Sequence, residues 1–215
     1  MRTRTTILTR LQSNNRALAQ PTTWQSRQGF NDLAEQFVTA LTAVHGEPHL
    51  APNLEGATAQ LGAILAELGA QRVVANNEAP IADLNLPTRW PHLQWHIVGE
   101  TAGDLREFCT YADVGLSSGI AAIAETGSVV IHSGSAQSRV ATLFPPVHIV
   151  LLPTSRLTTD LFTFTATHKN THLANGTLPA AMTFISGPSK TADIEQTMAI
   201  GVHGPKRFIV ILYRE

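Results

Sequence analysis

Pro145-Pro146-Val147-His148-Ile149-Val150-Leu151-Leu152 is the stretch that predicts the fold, because a run of mostly apolar residues directly follows two prolines. The prolines end the preceding element, and the branched aliphatic side chains favour a buried strand. Strands that are covered on both faces are typical of parallel sheets with helices on each side. The stretch therefore predicts a buried strand of an α/β sheet.

Further short apolar runs alternate with segments in which apolar residues recur at helical spacing. The predicted strands cover residues 72–75, 95–98, 114–116, 127–132, 182–185 and 208–212. The predicted helices cover residues 6–19, 31–44, 54–68, 104–111 and 157–166, with a helical turn at 120–124. This alternation predicts an α/β fold with a mainly parallel sheet flanked by helices.

The first part of the chain contains two predicted helices and no predicted strand before residue 49. Asn31 is the predicted N-cap of the second helix, which Gly46 and Pro48 end. We therefore divide the chain into an N-terminal helical arm, residues 1–48, and an α/β domain, residues 49–215. In an obligate homo-oligomer the arm would pack on the neighbouring subunit, and the sequence leaves this arrangement open.

The composition argues against several classes of protein. The chain has 215 residues, of which 43% are hydrophobic, and a formal net charge of −1, which does not favour nucleic acid or a membrane surface as partner. No stretch approaches the ~20 apolar residues of a membrane span and no signal peptide is visible, so a cytoplasmic protein is expected. Cys109 is the single cysteine, and it is expected to be a buried, inert thiol.

The polar stretch Gly187-Pro188-Ser189-Lys190-Thr191-Ala192-Asp193-Ile194-Glu195 lies between apolar runs and places hydroxyls beside one cation. We expect a loop that leaves a strand and opens a short helix, which Ser189 and Thr191 would cap. Backbone N–H groups and the Lys190 ammonium would then face a phosphate or carboxylate. Because Ser189 precedes Lys190 where a nucleotide-binding P-loop requires glycine, that class is excluded. A solvated lysine beside a helix cap is the alternative.

Glu125 is a second candidate, because it follows Ala122-Ile123-Ala124 and precedes Gly127, which opens a predicted strand. A carboxylate between two buried segments is costly unless it is paired, hydrogen-bonded or protonated. Glu125 could act as a nucleophile, as a general base or as a structural anchor for loop N–H groups. Gly127 is expected to serve the backbone geometry of the turn.

The loop Ser117-Ser118-Gly119 follows a predicted strand, and its small residues would let a ligand approach, although a tight turn explains them equally well. Two histidine pairs have four-residue spacing, His92 with His96 and His168 with His172, but neither matches the zinc-protease pattern. We therefore predict no metal site. His132 and His203 are candidates to line a pocket.

Two of these regions together resemble the lactate utilization (LUD) domain family and its C-type members. The residues that carry the resemblance are 122–128 and 185–195, followed by Gly201-Val202-His203-Gly204-Pro205-Lys206. The resemblance covers roughly residue 49 to the C-terminus. It implies a fold similar to the sugar-phosphate isomerase and CoA-transferase group. It also implies a role in oxidising L-lactate to pyruvate, alongside two partner proteins that carry iron–sulfur clusters.

The resemblance transfers no catalytic residue, and Glu125 is suggested only by analogy with a loop glutamate that attacks CoA thioesters in related folds. We expect an accessory subunit of a lactate-oxidising system that binds a small anion or anionic cofactor. The alternatives are a stand-alone enzyme that acts on CoA esters or sugar phosphates with Glu125 as nucleophile or base, and an assembly subunit with a vestigial pocket. The cofactor is unknown.

The expected site combines all three polar regions. Lys190 and the loop N–H groups would hold the anion, Ser189 and Thr191 would hydrogen-bond it, and three further side chains would orient this shell. The complete set of candidate residues is Ser117, Ser118, Gly119, Glu125, Thr126, Gly127, Ser128, Gly187, Ser189, Lys190, Thr191, Asp193, Glu195 and His203.

Overall fold

The computed structural model describes residues 2–13, 29–168, 179–192 and 198–215. The strands are β1 Glu47–Ala51, β2 Arg72–Ala75, β3 Gln94–Ile97, β4 Val114–Ser117, β5 Ala121–Ile123, β6 Ser128–Ser133, β7 Val147–Pro153, β8 Leu157–Thr158, β9 Ala181–Ile185, β10 Lys190–Ala192, β11 Met198–Ile200 and β12 Arg207–Tyr213. The α-helices are α1 Arg2–Ser13, α2 Leu33–Ala43, α3 Leu54–Glu67, α4 Leu86–Arg89, α5 Leu105–Thr110, α6 Arg139–Leu143 and α7 Leu161–His168, with 3₁₀ turns at Ile81–Leu84 and Thr154–Arg156.

The main sheet has six strands in the order β1-β12-β7-β4-β2-β3, and all five pairings are parallel. This confirms the predicted parallel α/β architecture. The chain steps from β2 outward to β3 and then returns to the other side of β2 to form β4. The order of strands therefore reverses between β2 and β4, and in sheets of this kind ligands bind outside the carboxyl ends of the strands at such a point.

A second sheet, in the order β8-β5-β6-β9, covers one face of the main sheet. The layer between the two sheets contains Val129, Val150, Leu152 and Val210, together with Phe37 of α2, all fully buried. Helix α3 covers the opposite face through Leu61 and its neighbours. Each such side chain contributes roughly 1.5–3 kcal/mol when it is removed from water, so the main sheet is held by an apolar layer on each side.

Several local predictions were wrong because short apolar runs take their structure from their neighbours. Residues 121–123 form strand β5 rather than a helical turn, since they pair with β6 and β8. Likewise, residues 157–158 form β8, and only 161–168 of the predicted helix 157–166 are helical. Strand β1 begins at Glu47, before the expected first strand, and pairs with β12.

Two predicted helix caps were also wrong. Asp32, and not Asn31, caps α2, because its carboxylate accepts hydrogen bonds from the N–H groups of Ala34 and Glu35. Residues 190–192 form strand β10 and not a helix, so Ser189 and Thr191 do not cap one.

The division at residue 48 stays a prediction. Helix α2 of the predicted arm packs in cis, since Phe37 and Leu41 are fully buried in the layer between the sheets. Of the predicted first helix, residues 14–19 lie outside the described residues, and α1 covers 2–13. Cys109 is buried, and burial raises the pKa of its thiol to about 11, as expected for an unreactive cysteine. Within the described ranges no helix has the length and apolar character of a membrane span.

Candidate functional site

The structure divides the predicted site residues among three places. Ser117, Ser118 and Gly119 lie at the carboxyl end of β4, and residues 125–128 form the turn between β5 and β6. Gly187, Ser189, Lys190 and His203 line a cavity of about 410 Å³ beside the first residues of β7 and β12. We call it the amino-edge cavity. Thr191 lies in β10, whereas Asp193 and Glu195 fall outside the described residues.

His148 lines the amino-edge cavity and was not among the predicted site residues. Its side chain is 1% exposed, and its Nε2 lies 2.8 Å from the Oγ of Ser117. The Nδ1 atom is buried and has no hydrogen-bond partner among the described residues. Burial lowers the pKa of His148 to about 3, so the ring is neutral at pH 7. A buried polar atom without a partner costs about 1–3 kcal/mol, which favours a ligand or water that supplies the missing bond.

Lys190 is anchored to the end of helix α2. Its Nζ donates a hydrogen bond to the backbone oxygen of Val44 at 2.6 Å and lies 3.2 Å from Nδ1 of His45. Val44 is the C-cap of α2, where a cation is stabilised by the partial negative charge of the helix end. An ammonium group has three donors, so contact with the helix leaves donor capacity for an anion.

A row of hydroxyls connects the β5–β6 turn to the loop that carries Lys190. The Oγ1 of Thr126 lies 2.7 Å from the Oγ of Ser128, which lies 2.5 Å from the Oγ of Ser186. Ser186 lines the amino-edge cavity. Two of the three predicted regions therefore meet through their hydroxyl groups.

Glu125 does not line the amino-edge cavity. Its backbone N–H donates to the oxygen of Thr159 at 3.0 Å, which fixes the turn against β8. Gly127 has a φ of +63°, and a Cβ there would lie 2.3 Å from the backbone nitrogen of Leu41. Close contact with α2 therefore requires a glycine at position 127, in agreement with the geometric role that the sequence predicted. A chemical role of Glu125 stays a prediction.

The carboxyl ends of β2, β4 and β7 bring together a third group, which we call the carboxyl-edge cluster: Glu78, Ser118, Gly119 and Arg156. The N–H of Ser118 donates to Oε1 of Glu78 at 2.9 Å. The Nη1 of Arg156 donates to the oxygen of Gly119 at 2.6 Å and to Oγ of Ser118 at 3.1 Å. Burial raises the pKa of Glu78 to about 7, against the opposing effects of the Ser118 N–H, Arg156 and Asn76.

Glu78 and Arg156 were missed by the sequence reasoning, although a signal was present. Residues 76–78 follow the apolar strand β2 just as Ser117-Ser118-Gly119 follows β4, and residues 154–156 follow β7 in the same way. Since the carboxyl ends of parallel strands share one edge of the sheet, three polar stretches in that position would have indicated a cluster. His148 had a similar signal, as a polar residue inside an otherwise apolar run.

The family model of the LUD domain matches residues 34–213. The chain belongs to the LUD domain family. A crystal structure of a DUF162 family protein from Deinococcus radiodurans superimposes with a TM-score of 0.59 at 21% identity, covering 84% of this chain and 96% of that one. This neighbour confirms the fold.

Curated relatives carry a common name. Lactate utilization protein C of Halalkalibacterium halodurans is 33% identical over 156 residues, which cover 71% of this chain and 66% of that protein. Lactate utilization protein C 1 of Bacillus mycoides is 27% identical over 187 residues, which cover 85% and 79% of the two chains. The matched region spans just under two thirds of the Halalkalibacterium protein and 44% of the lactate utilization protein C of Shouchella clausii.

Proposed function

We propose that this chain takes part in lactate utilization as an accessory subunit that binds a small anion, such as the carboxylate of a hydroxy acid or keto acid, in the amino-edge cavity. The names of the relatives support the process. The observation that supports the ligand is the buried Nδ1 of His148, to which the described residues give no hydrogen-bond partner; His148 lines the same cavity as Ser186, Ser189 and Lys190.

The size of the cavity suits this class of ligand. Its volume of about 410 Å³ falls within the range of roughly 300–1,000 Å³ that is usual for small-molecule sites. The neutral His148 ring would offer Nδ1 as donor or acceptor, depending on how the hydroxyl of Ser117 orients on Nε2. Lys190 would supply the positive charge, and the hydroxyls of Ser186 and Ser189 would complete the contacts.

Electron transfer is assigned to partner proteins in this proposal. Oxidation of lactate to pyruvate releases two electrons and two protons, which an acceptor must take up. The single cysteine of this chain is buried and cannot hold an iron–sulfur cluster by itself. We therefore propose iron–sulfur oxidoreductase subunits as the partners, with this chain supplying the site for the small acid or for an anionic cofactor.

Isothermal titration calorimetry with L-lactate and with pyruvate tests the ligand. Lys190→Ala should weaken binding at least about fivefold, because a charge-assisted hydrogen bond contributes more than about 1 kcal/mol. Lys206→Ala is the matched control, since Lys206 is also an exposed lysine and does not line the cavity. Wild-type protein that binds neither acid, or a Lys190→Ala protein that binds as the wild type does, contradicts the assignment of the cavity. Co-purification of iron–sulfur proteins with the tagged chain tests the partners separately.

A further inference from the structure

We propose that the carboxyl edge of the main sheet holds a second site, in which Arg156 binds the carboxylate or phosphate group of an organic anion. The apolar part of that anion would occupy the neighbouring cavity between β8 and α7. This site is independent of the amino-edge cavity, and the proposed function does not require it.

The topology places Arg156 where a ligand is expected. Strands β7, β4 and β2 are adjacent, and their carboxyl ends carry Arg156, Ser118 and Glu78. The order of strands reverses between β4 and β2, and in sheets of this kind ligands bind outside the carboxyl ends of the strands at such a point. The amino-edge cavity lies beside the first residues of β7 and β12, next to His148 and Phe208.

Arg156 has hydrogen-bond capacity left for a ligand. Its Nη1 donates to the oxygen of Gly119 and to Ser118. A guanidinium carries five N–H donors, and no ion pair joins Arg156 to a carboxylate of the described residues. The two bonds fix the plane of the group, and the side chain borders a cavity of about 430 Å³. An oriented guanidinium with free donors is the usual partner of carboxylate and phosphate groups.

The cavity beside Arg156 indicates what the remainder of the ligand is like. Its walls include the apolar side chains of Ile120, Leu157 and Phe164, and the hydroxyls of Ser155, Thr158 and Thr163. Such a mixed lining fits a short carbon chain with one or two polar atoms better than it fits a bare inorganic ion. The class of ligand is therefore an organic acid or phosphate ester with an apolar portion.

Glu78 lies on the other side of Ser118 and links the affinity of this site to pH. The groups that face its carboxyl are the N–H of Ser118, Asn76 and the positive charge of Arg156. When Glu78 is ionised it offsets the charge of Arg156, and when it is protonated the full charge is available to an anion. Anion binding should therefore strengthen as the pH falls and Glu78 becomes protonated.

Calorimetric titration of the full chain with sulfate and with butyrate tests the site. Sulfate provides the oxyanion alone and does not titrate near neutrality, whereas butyrate adds the apolar portion. We expect wild-type protein to bind butyrate more tightly than sulfate, and Arg156→Gln to lose at least about tenfold in affinity for both. Arg139→Gln is the control, because Arg139 is exposed and does not line this cavity.

A second pair of variants keeps the test decisive if Arg156→Gln does not fold. Thr163→Trp would fill the cavity from an exposed position and should abolish butyrate binding while sulfate binding persists. Thr165→Trp, on an exposed position of the same helix outside the cavity lining, should leave both unchanged. The proposal is overturned if folded Arg156→Gln binds both probes normally, if Thr163→Trp leaves butyrate binding intact, or if wild-type protein binds neither probe with a Kd below ~10 mM.

Discussion

Strand β7 connects two regions that differ in their chemistry, since His148 stands near its start and Arg156 follows its end. At the amino edge the polar group is a fully buried, neutral imidazole, and the charge comes from a lysine that is bound to the end of helix α2. At the carboxyl edge the charge is a permanent guanidinium beside a glutamate that titrates near neutrality.

Two neighbouring serines, Ser117 at the end of β4 and Ser118 directly after it, contact the two regions separately. Ser117 contacts His148, while the hydroxyl of Ser118 contacts Arg156 and donates to the backbone oxygen of Leu151. The different contacts of Ser117 and Ser118 show that adjacent residues of the same type can belong to separate sites. Single substitutions of the two serines can therefore distinguish the sites.

The largest expected loss of stability comes from a substitution in the turn between β5 and β6. Gly127→Ala should lower the free energy of unfolding by about 3 kcal/mol, because the new Cβ meets the backbone of Leu41 in a left-handed conformation. Gly69→Ala is the matched control, since Gly69 has a φ of +60° and a Cβ there would meet no other part of the described chain within 4 Å, and it should cost only about 1 kcal/mol. Urea denaturation measures both, and equal losses would show that contact with α2 does not set the cost.

The carboxyl edge should give stability an unusual dependence on pH. The folded-state pKa of Glu78 is raised to about 7 from its ordinary value of 4.5, so the folded protein binds more protons than the unfolded chain between these values. The contribution of Glu78 is therefore fully present below pH 4.5 and is lost as the pH rises through 7, by at most about 3 kcal/mol. Urea denaturation of the wild type and of Glu78→Gln from pH 5 to 8 should show this slope as the difference between the two proteins.

Glu78→Gln removes the titration, so the stability of the wild type minus that of this variant should fall as the pH rises from 5 to 8. His148 contributes a slope of the opposite sign in both proteins, because burial lowers its folded-state pKa from 6.5 to about 3 and the unfolded chain therefore binds its proton more readily. A difference between wild type and Glu78→Gln that stays constant or rises from pH 5 to 8 would contradict the environment that the structure gives Glu78.

A smaller and more selective effect should separate the two serines. Ser117→Ala removes the partner of Nε2 of His148, which should cost about 1–3 kcal/mol of stability and weaken pyruvate binding. Ser118→Ala keeps the backbone N–H that binds Glu78, loses the hydroxyl that accepts from Arg156, and should weaken sulfate binding instead. Calorimetry on both proteins gives the crossed comparison, and a loss of both ligands in either variant would mean that the two regions act as one site.

The fold could be predicted because its signals are local. Runs such as 147–152, which is apolar apart from His148, and 208–212 became central strands of the main sheet. The segment 120–124 could not be assigned correctly, because a three-residue strand is defined by its pairing with β6 and β8 rather than by its own periodicity. Gly127 was predicted to matter for geometry, but its neighbour Leu41 could not be identified from the sequence.

The site was harder to predict because its contacts join distant parts of the chain. Ser118 and Glu78 are 40 residues apart, Arg156 and Ser118 are 38 apart, and Lys190 and Val44 are 146 apart. We expected all the polar loops to surround one anion. The structure instead distributes them over the amino edge of the main sheet, its carboxyl edge and the β5–β6 turn. The anion-binding role of Lys190 remains a proposal, supported by its position on the cavity lining.

By itself the sequence determined that this chain forms a parallel sheet covered on both faces, because apolar runs of strand length can be satisfied only by burial on each side. It also determined that polar side chains follow several of those strands. Which of these side chains meet was decided by the tertiary structure alone, because the order β7-β4-β2 brings distant segments together, so that Ser117 contacts His148 and Ser118 contacts Arg156.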